Sequence, residues 1–269
     1  MGIEETAADC ETVNVTVGDR VDHVATVELS RPDARNALNA QLRAELKSVL
    51  DEVPDSNLRA IVLTGAENTG AFVAGADVTE LRERDAMEQR EASKRPRVYE
   101  YVDDCPMPVI ARINGHALGG GCELIQACDI RIAHEDAKIG QPEINLGIMP
   151  GGGGTQRLPR LVGEGHAMRL ILSGELIDAE EAADIGLVDE VYGDDEFDDR
   201  VYDLAESIAA KSPVALEFAK KSVKAASRMD LEAGIEYEAE LFAQLFTTDD
   251  KNEGIDAFFE DREPDWPSG

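Results

Sequence analysis

Hydrophobic and polar residues alternate along the first third of the chain in ways that separate strands from helices. Residues 13–17 and 24–29 alternate with a period of two, which predicts two short strands joined as a meander or hairpin. Residues 38–53 place apolar side chains on one helical face, and Pro54 closes that predicted helix. The compact apolar run at 58–63 predicts a buried strand.

The middle of the chain continues this alternation of strand and crossover. A loop of small residues covers 70–77, and the charged stretch 78–104 predicts a helix on the surface. Residues 108–113 and 129–133 predict buried strands, and the glycine triplet 119–121 opens a helix between them. Strand, crossover and strand in succession favour an α/β layered fold with parallel pairing.

The chain becomes predominantly helical after Gly154. Helices are predicted at 155–161, 166–172, 179–185, 197–210, 213–226, 231–246 and 251–259. The last two carry strong apolar faces, so we expect this tail to dock on the core and on a partner subunit. The predicted organisation is a core carrying the active site at 1–195 and a helical region for oligomerisation at 196–269.

The net charge excludes two classes of partner. The 269 residues include 56 acidic and 26 basic side chains, which leaves a formal net charge of −30. Nucleic acids and anionic membrane surfaces are bound mainly through Lys and Arg, so neither is expected as a partner. With 43% hydrophobic residues, the chain nevertheless has the composition of a globular protein with a core.

The choice of basic residues is also unusual, because 18 of them are Arg and only eight are Lys. Dense carboxylate with few lysines is typical of a protein that works in very salty cytoplasm. A screening length of about 3 Å at 1 M salt mutes the self-repulsion of such a chain. The sequence is therefore interpreted as halophilic, and an acidic enzyme from a mesophile is the alternative.

Signals for targeting and for metal binding are weak in this sequence. No run approaches the ~20 apolar residues of a membrane span, and the acidic start lacks the basic and apolar parts of a signal peptide. We therefore expect a cytoplasmic protein. The four cysteines lack CxxC spacing and the four histidines share no ligand spacing, so we expect buried free thiols and no metal site.

Three segments carry candidate chemistry. They are residues 74–77, 119–123 and 140–143, and a glycine-rich stretch at 149–155 follows the third. Small residues at helix starts leave backbone N–H groups open towards a ligand, and the helix dipole favours negative charge there. Two such N–H groups from different helices would form an oxyanion hole.

Two glutamates accompany these segments. Glu123 lies about one turn after Gly120 on the same helical face, and Glu143 follows Pro142. Two carboxylates that flank a polarised carbonyl are suited to proton transfer at adjacent carbons. Tight packing is the alternative explanation for the glycine triplet, while the glycine patterns of phosphate loops and dinucleotide sites do not occur in the sequence.

The order of the motifs is similar to that of a known family. The motifs are RPDARNAL at 31–38, FVAGAD at 72–77, NGHALGGGCEL at 114–124, GQPE at 140–143 and PGGGGTQRL at 150–158. In this order they resemble successive signatures of the crotonase (enoyl-CoA hydratase/isomerase) superfamily. The resemblance runs over nearly the whole chain.

That resemblance implies a fold, an assembly and a ligand. The fold would be a spiral of repeated ββα units with a helical C-terminal trimerisation region, as a homotrimer or a dimer of trimers. The ligand would be an acyl-CoA thioester that serves as substrate, with no separate cofactor. The backbone N–H groups of Ala76 and Gly120 would hold the thioester oxygen.

Both carboxylate positions hold glutamate, which is the pattern of hydratases in the superfamily. The implied reaction is reversible addition of water across the 2,3 double bond of a 2-enoyl-CoA to give a 3-hydroxyacyl-CoA. Glu123 would act as base on the water, and Glu143 would pass a proton to the α-carbon. The backbone of Gly151 would help to position the water.

Contacts to CoA and to the acyl chain are implied by position. The residues expected at CoA are Arg35, Ala37, Ala74, Asp77 and Arg262. The residues expected to line the acyl pocket are Val78, Leu81, Leu118 and Met149. The chain departs from the family pattern at Asp33 and Asp261, where basic residues are usual, so Arg35 and Arg262 are the expected substitutes. Thr79 stands where a lysine often lies near the adenine.

Other functions fit part of the same pattern. One is another crotonase with two glutamates, such as a hydratase–lyase or an acyl-CoA hydrolase. A more distant one is a non-catalytic member that serves as a binding protein. The intact Glu123 and Glu143 and the charge of −30 argue against the binding protein.

The halophile interpretation predicts that salt stabilises the fold. The free energy of unfolding should rise between dilute buffer and ~1 M KCl, because screening removes repulsion among the excess carboxylates. Urea unfolding at increasing KCl measures the effect. A fold that is equally stable in dilute buffer contradicts the interpretation.

Overall fold

A computed structural model describes residues 2–268, so residues 1 and 269, the outer limits of the two predicted regions, lie outside the described residues. The strands are Val13–Val17 (β1), Val24–Leu29 (β2), Ala60–Gly65 (β3), Ala71–Val73 (β4), Val109–Ile113 (β5), His116–Leu118 (β6), Ile130–His134 (β7), Lys138–Gly140 (β8), Leu176–Asp178 (β9) and Glu190–Tyr192 (β10). The α-helices are Ile3–Ala8 (α1), Ala40–Asp51 (α2), Val78–Glu83 (α3), Ala86–Ala92 (α4), Val98–Asp103 (α5), Gly120–Ile125 (α6), Gly154–Ser173 (α7), Ala179–Asp184 (α8), Phe197–Ala209 (α9), Pro213–Ala225 (α10), Leu231–Leu245 (α11) and Asp249–Glu260 (α12). Short 3-10 turns cover Pro32–Ala34, Val53–Asp55 and Pro142–Leu146.

The larger of two sheets has six strands in the order β1-β2-β3-β5-β7-β10. Only the β1–β2 hairpin is antiparallel, and the remaining pairs are parallel. In the central strand β3, Val62 pairs with Thr26 on one side and Ile110 on the other. All six residues of β3 are buried, as expected for a parallel strand covered on both faces.

The smaller sheet has four strands in the order β4-β6-β8-β9. The chain alternates between the sheets, since β3, β5 and β7 enter the larger sheet and β4, β6 and β8 follow each of them into the smaller one. A helix or a 3-10 turn comes after each of these pairs. This repetition confirms the predicted spiral of ββα units.

Packing on the outer face of the larger sheet crosses the predicted division at residue 196. Helix α9 buries Phe197 and Val201 in one hydrophobic cluster with Val62 and Ile110 of the sheet. This helix therefore belongs to the packing of the core. Helices α10, α11 and α12 remain candidates for the oligomerisation region. The division into 1–195 and 196–269 stays a prediction.

Ion pairs fasten helix α10 to the core. Lys220 lies 2.6 Å from Asp129, and Lys224 lies 2.6 Å from Asp103 at the end of α5. Helix α10 and the helices that follow it leave large apolar side chains exposed: Val223, Leu231, Ile235, Phe242, Phe246, Phe258 and Phe259. No helix within residues 2–268 has the length and apolar character that crossing a bilayer requires.

The charged stretch 78–104 is not one surface helix, as the pattern predicts, but three short ones. Asp77 and Asp85 each cap a new helix, because their side chains accept hydrogen bonds from the first-turn N–H groups of α3 and α4. Helix α5 then buries Val98 and Val102 in the core. The last part of the segment is therefore structural rather than peripheral.

The remaining differences from the predicted elements concern the shortest strands. Strands β4, β6, β8, β9 and β10 have three residues each, which is too short to show a period of two. The two helices predicted at 155–161 and 166–172 correspond to the two halves of α7, which a kink with non-helical angles at Gly163 separates. The cysteines are free thiols as predicted, although Cys10 is only half-buried.

Close packing explains one member of the glycine triplet. A Cβ on Gly121 would lie 2.1 Å from the carbonyl oxygen of Val73 in β4, whereas a Cβ on Gly165 in α7 would meet open space. We predict that Gly121→Ala lowers the free energy of unfolding by more than ~3 kcal/mol, because backbone must shift to admit the methyl group.

Gly165→Ala is the matched control for this prediction. It should raise the free energy of unfolding by about 0.5–1 kcal/mol, since alanine favours a helix. Urea unfolding measures both variants. Similar free energies of unfolding for the two variants would show that the close approach of α6 to β4 does not restrict the side chain at position 121.

Candidate active site

Three of the predicted site residues follow the carboxyl ends of neighbouring parallel strands. Ala76 follows β4, Gly120 follows β6, and Glu143 follows β8. Strands β4, β6 and β8 are adjacent and parallel in the smaller sheet. Carboxyl ends of parallel strands share one edge, and ligands of α/β folds bind outside that edge. Residues far apart in sequence therefore meet at one place.

Two backbone N–H groups are left free at this edge. Among residues 2–268, neither the Ala76 nor the Gly120 N–H donates to another protein group. Gly120 begins α6, so its N–H has no partner within the helix. The position that a Cβ would take on Gly120 is 3.3 Å from the Ala76 nitrogen. The two donors border one space and can converge on a single oxygen.

Glu123 is fixed by the glycine-rich loop. Its Oε1 accepts hydrogen bonds from the N–H groups of Gly152 at 2.6 Å and Gly154 at 2.8 Å. Oε2 accepts no hydrogen bond from residues 2–268 and remains available to a proton. The residue is only 3% exposed. Burial raises the pKa of Glu123, and the two N–H donors with Arg97 and Arg157 oppose that rise.

Glu143 lies in the 3-10 turn after β8, in a different environment. Its Oε1 would be 3.1 Å from a Cβ on Gly119, so the carboxylate faces the start of α6. The buried Gln141 amide, with its nitrogen towards Glu143, donates to Oε1 at 3.0 Å and Oε2 at 3.2 Å, and its oxygen accepts from Gln126 at 2.9 Å. Burial, reinforced by the Glu123 charge, raises the pKa of Glu143 to about 7.

This geometry can polarise a carbonyl and move protons beside it. The free N–H groups of Ala76 and Gly120 would stabilise an oxyanion, which is usually the largest single contribution to catalysis of this kind. Glu123 and Glu143 interact electrostatically across the same site. Their different surroundings suit them to opposite roles in proton transfer.

Four of the five residues expected at CoA are brought together by backbone pairing. The Ala74 N–H donates to the Arg35 carbonyl, and the Asp77 N–H donates to the Leu38 carbonyl. Ala37 lies between these two contacts, and its carbonyl accepts from Arg31. The segments 35–38 and 74–77 thus form one rim beside the free N–H of Ala76.

The side chain of Asp77 is occupied in this rim. It accepts from the Thr79 N–H at 3.1 Å and forms an ion pair with Arg31, also at 3.1 Å. The hydrogen bond from the Thr79 hydroxyl, followed by the Arg31 contact, lowers the pKa of Asp77. The carboxylate and the backbone N–H of Asp77 are therefore both engaged within the protein, and its assignment to CoA stays a prediction.

The structure does not bring Arg262 to the same rim. Its guanidinium pairs with Glu253 at 2.5 Å and with Glu260 at 2.7 Å, both within the C-terminal helix α12. Within one chain, the contacts of Arg262 are therefore made in the C-terminal region. Its assignment to CoA stays a prediction.

The four residues expected at the acyl chain flank the site segments. Val78 and Leu81 lie on α3 directly after Ala76, and Leu118 ends β6 before the glycine triplet. Val78 and Met149 are exposed, while Leu81 and Leu118 are half-buried. Gly151 is exposed and its carbonyl accepts from Arg97. The proposed roles of these five residues stay predictions.

Sequence reasoning assigned no role to several residues that form the site. Gly152 and Gly154 hold Glu123, and Gln141 holds Glu143. Tyr99 of α5 and Arg97, which directly precedes that helix, reach the site from the stretch predicted to be a surface helix. The only sequence signal for α5 is the apolar pair Val98 and Val102, four residues apart, amid charged neighbours.

Comparison with known proteins identifies the class to which this fold and site belong. The sequence profile of the family "Enoyl-CoA hydratase/isomerase" matches residues 19–269. The chain belongs to the enoyl-CoA hydratase/isomerase family. The similarity predicted from the five motifs is thereby confirmed.

Individual relatives cover almost the same extent. The chain is 40% identical over 252 residues to the short-chain-enoyl-CoA hydratase of Clostridium acetobutylicum, covering 93% of this chain and 96% of the relative. It is 42% identical over 248 residues to the 2,3-dehydroadipyl-CoA hydratase of Escherichia coli, covering 92% and 96%. The crotonyl-CoA hydratase of Syntrophomonas wolfei is 39% identical over 251 residues, covering 93% and 96%.

A solved structure shows the same fold. The crystal structure of an enoyl-CoA hydratase from Bacillus anthracis superposes with a TM-score of 0.91 at 39% identity, covering 96% of this chain and 100% of the other. The predicted crotonase-type α/β fold is confirmed. The predicted enzyme class, a hydro-lyase of the enoyl-CoA hydratase type, is supported by the same relatives.

The environment of Glu143 predicts a titration near neutral pH. The Glu143 carboxyl should titrate with a pKa of about 7. In Glu123→Gln the Glu143 pKa should fall, because the negative charge that opposes its ionisation is removed. Infrared or ¹³C-carboxyl titration of the two proteins measures this. An unshifted midpoint in the variant would mean that the carboxylates do not interact.

Proposed function

We propose that this protein is an enoyl-CoA hydratase that adds water reversibly across the 2,3 double bond of a 2-enoyl-CoA. The observation that carries the proposal is the pair Glu123 and Glu143 beside the free N–H groups of Ala76 and Gly120. The names of the relatives, which include short-chain-enoyl-CoA and crotonyl-CoA hydratases, point to the same reaction.

Substrate binding begins at the thioester carbonyl. The N–H groups of Ala76 and Gly120 would donate to the thioester oxygen, whose negative charge grows as the reaction proceeds. Removal of one such donor typically costs ~3 kcal/mol of transition-state stabilisation. The rim formed by segments 35–38 and 74–77 would hold the CoA portion next to that oxygen.

Water addition would use Glu123 as the base. Its Oε1 is fixed by Gly152 and Gly154, which leaves Oε2 to take a proton from water. As the water oxygen bonds to the β-carbon, the electrons of the double bond move towards the thioester and form an enolate on its oxygen. Gly151 would help to position the water through its backbone.

Protonation of the α-carbon would use Glu143. A carboxyl with a pKa of about 7 carries a proton in a useful fraction of molecules near neutral pH. The enolate collapses as Glu143 gives this proton to the α-carbon, which completes the 3-hydroxyacyl-CoA. Hydration begins with one proton on Glu143, and dehydration begins with one proton on Glu123. Both directions therefore use the singly protonated pair.

The exposed apolar surface of the C-terminal helices supports the proposed assembly. Phe258 and Phe259 are each 80% exposed in the single chain, and Leu231 is 81% exposed. Exposed aromatic side chains in such number favour a subunit interface. We therefore propose a homotrimer, or a dimer of trimers, that works in salty cytoplasm.

Substitution of the two glutamates tests the proposed reaction. Glu123→Gln and Glu143→Gln should each lower kcat for crotonyl-CoA hydration by at least ~100-fold, because each removes a proton-transfer group. The dissociation constant for the CoA ester should change little. Loss of enoyl-thioester absorbance in molar KCl measures turnover, and calorimetry measures binding.

Glu164→Gln, on an exposed part of α7, is the matched control. It removes one surface carboxylate without touching the site and should keep the wild-type rate. Near-normal turnover in either site variant would remove that glutamate from the mechanism.

A further inference from the structure

A tyrosine from helix α5 reaches the centre of the site. Tyr99 is 8% exposed, and its ring lies against the glycine-rich loop. A Cβ on Gly152 would be 2.4 Å from Cζ of Tyr99 and 2.5 Å from Oε2 of Glu123. The ring therefore lies next to the free oxygen of the proposed base, and only glycine at position 152 allows this contact.

The hydroxyl of the same side chain lies at the oxyanion hole. A Cβ on Gly120 would be 3.1 Å from the Tyr99 hydroxyl oxygen and 3.3 Å from the Ala76 nitrogen. The hydroxyl thus borders the same small space as the free N–H groups of Ala76 and Gly120. Tyr99 spans the distance from the oxyanion hole to Glu123.

This hydroxyl has no hydrogen-bond partner among residues 2–268. The Tyr99 ring is buried, but the hydroxyl oxygen itself keeps some accessible surface and is free to donate to a ligand in this space. An accessible donor that borders the oxyanion hole and has no protein partner is placed to donate to a ligand oxygen bound there.

We infer that the Tyr99 hydroxyl is a third hydrogen-bond donor to the thioester oxygen, beside the N–H groups of Ala76 and Gly120. This inference rests on the proposed hydratase function. In the addition step, water loses a proton to Glu123, its oxygen bonds to the β-carbon, and the displaced electron pair comes to rest on the thioester oxygen. Tyr99 keeps its proton throughout and shares it with the developing oxyanion.

The surroundings keep the phenol a donor and hold it in place. Burial, followed by the negative charge of Glu123, raises the pKa of Tyr99, so the hydroxyl stays protonated. Arg97 lies over the ring, with its guanidinium carbon 5.7 Å from the ring centre, and donates to the Gly151 carbonyl. Preorganisation of this kind is what makes an oxyanion donor effective.

The test compares Tyr99→Phe with Tyr101→Phe, a half-buried tyrosine on the same helix whose ring lies 4.7 Å from the Lys47 ammonium. Tyr99→Phe should lower kcat for crotonyl-CoA hydration ~10- to 100-fold with a small change in KM, because the lost donor acts mainly in the transition state. Tyr101→Phe should keep the wild-type rate. A kcat within two-fold of wild type for Tyr99→Phe overturns the inference.

Exchange of the α-protons of butyryl-CoA in D₂O separates this role from a role in handling water. That exchange forms a thioester enolate with the same charge on the thioester oxygen, uses Glu143 as base, and adds no water to the substrate. A third oxyanion donor predicts that Tyr99→Phe slows exchange and hydration by similar factors. Slower hydration with unchanged exchange would assign the hydroxyl to the water and overturn the inference.

A spectroscopic measurement distinguishes loss of the Tyr99 hydrogen bond from a general disturbance of the site. With turnover blocked by Glu123→Gln, bound 2,4-hexadienoyl-CoA should absorb at longer wavelength than free ligand, and Tyr99→Phe should shorten that shift. An unchanged shift would overturn the inference. If the wild-type protein fails to hydrate crotonyl-CoA, the proposed function fails, while exchange of butyryl-CoA still tests the donor.

Discussion

The site depends on the parallel pairing of β4, β6 and β8 in the smaller sheet. Because these strands run side by side in one direction, the chain leaves all three at the same edge. Ala76, Gly120 and Glu143 are brought together by that pairing alone, although Glu143 comes 67 positions after Ala76 in the chain. Close approach of α6 to β4, which only glycine at 121 permits, then fixes the direction of the Gly120 N–H and of Glu123.

Glu123 and Glu143 are chemically alike, and their different surroundings give them different electrostatic roles in the site. Both carboxylates are removed from water, which raises their pKa values. Two N–H groups oppose that rise at Glu123, whereas the charge of Glu123 adds to it at Glu143.

The protein also carries a charge of −30 and has to bind a polyanionic ester. Backbone N–H groups attract the ester oxygen without adding a cation. Arg31, which contacts the rim through Ala37, is already paired with Asp77.

Prediction from the sequence succeeded where an element is long enough to show its period. Strands β1 and β2 and helices α9 to α12 lie within a few residues of their predicted bounds, because each has several apolar positions on one face. The three-residue strands have no measurable period, and charged residues between 78 and 104 concealed the short helix α5. Arg262 is a second case in which the sequence was not sufficient. Its position in the chain suggested a contact with CoA, but its guanidinium pairs with Glu253 and Glu260 of α12.

The sequence by itself determined the family, the order of the site segments, the two glutamates and the acidic surface, because these are properties of residue type and spacing. Tertiary structure decided which oxygen of Glu123 is free, why Glu143 titrates near neutral pH, and that Tyr99 ends beside the oxyanion donors. The physical reason is that a pKa or an unpaired hydroxyl depends on burial and on neighbours contributed by distant segments. Glycine-loop N–H groups 29 and 31 residues from Glu123 are close to it only in the folded chain.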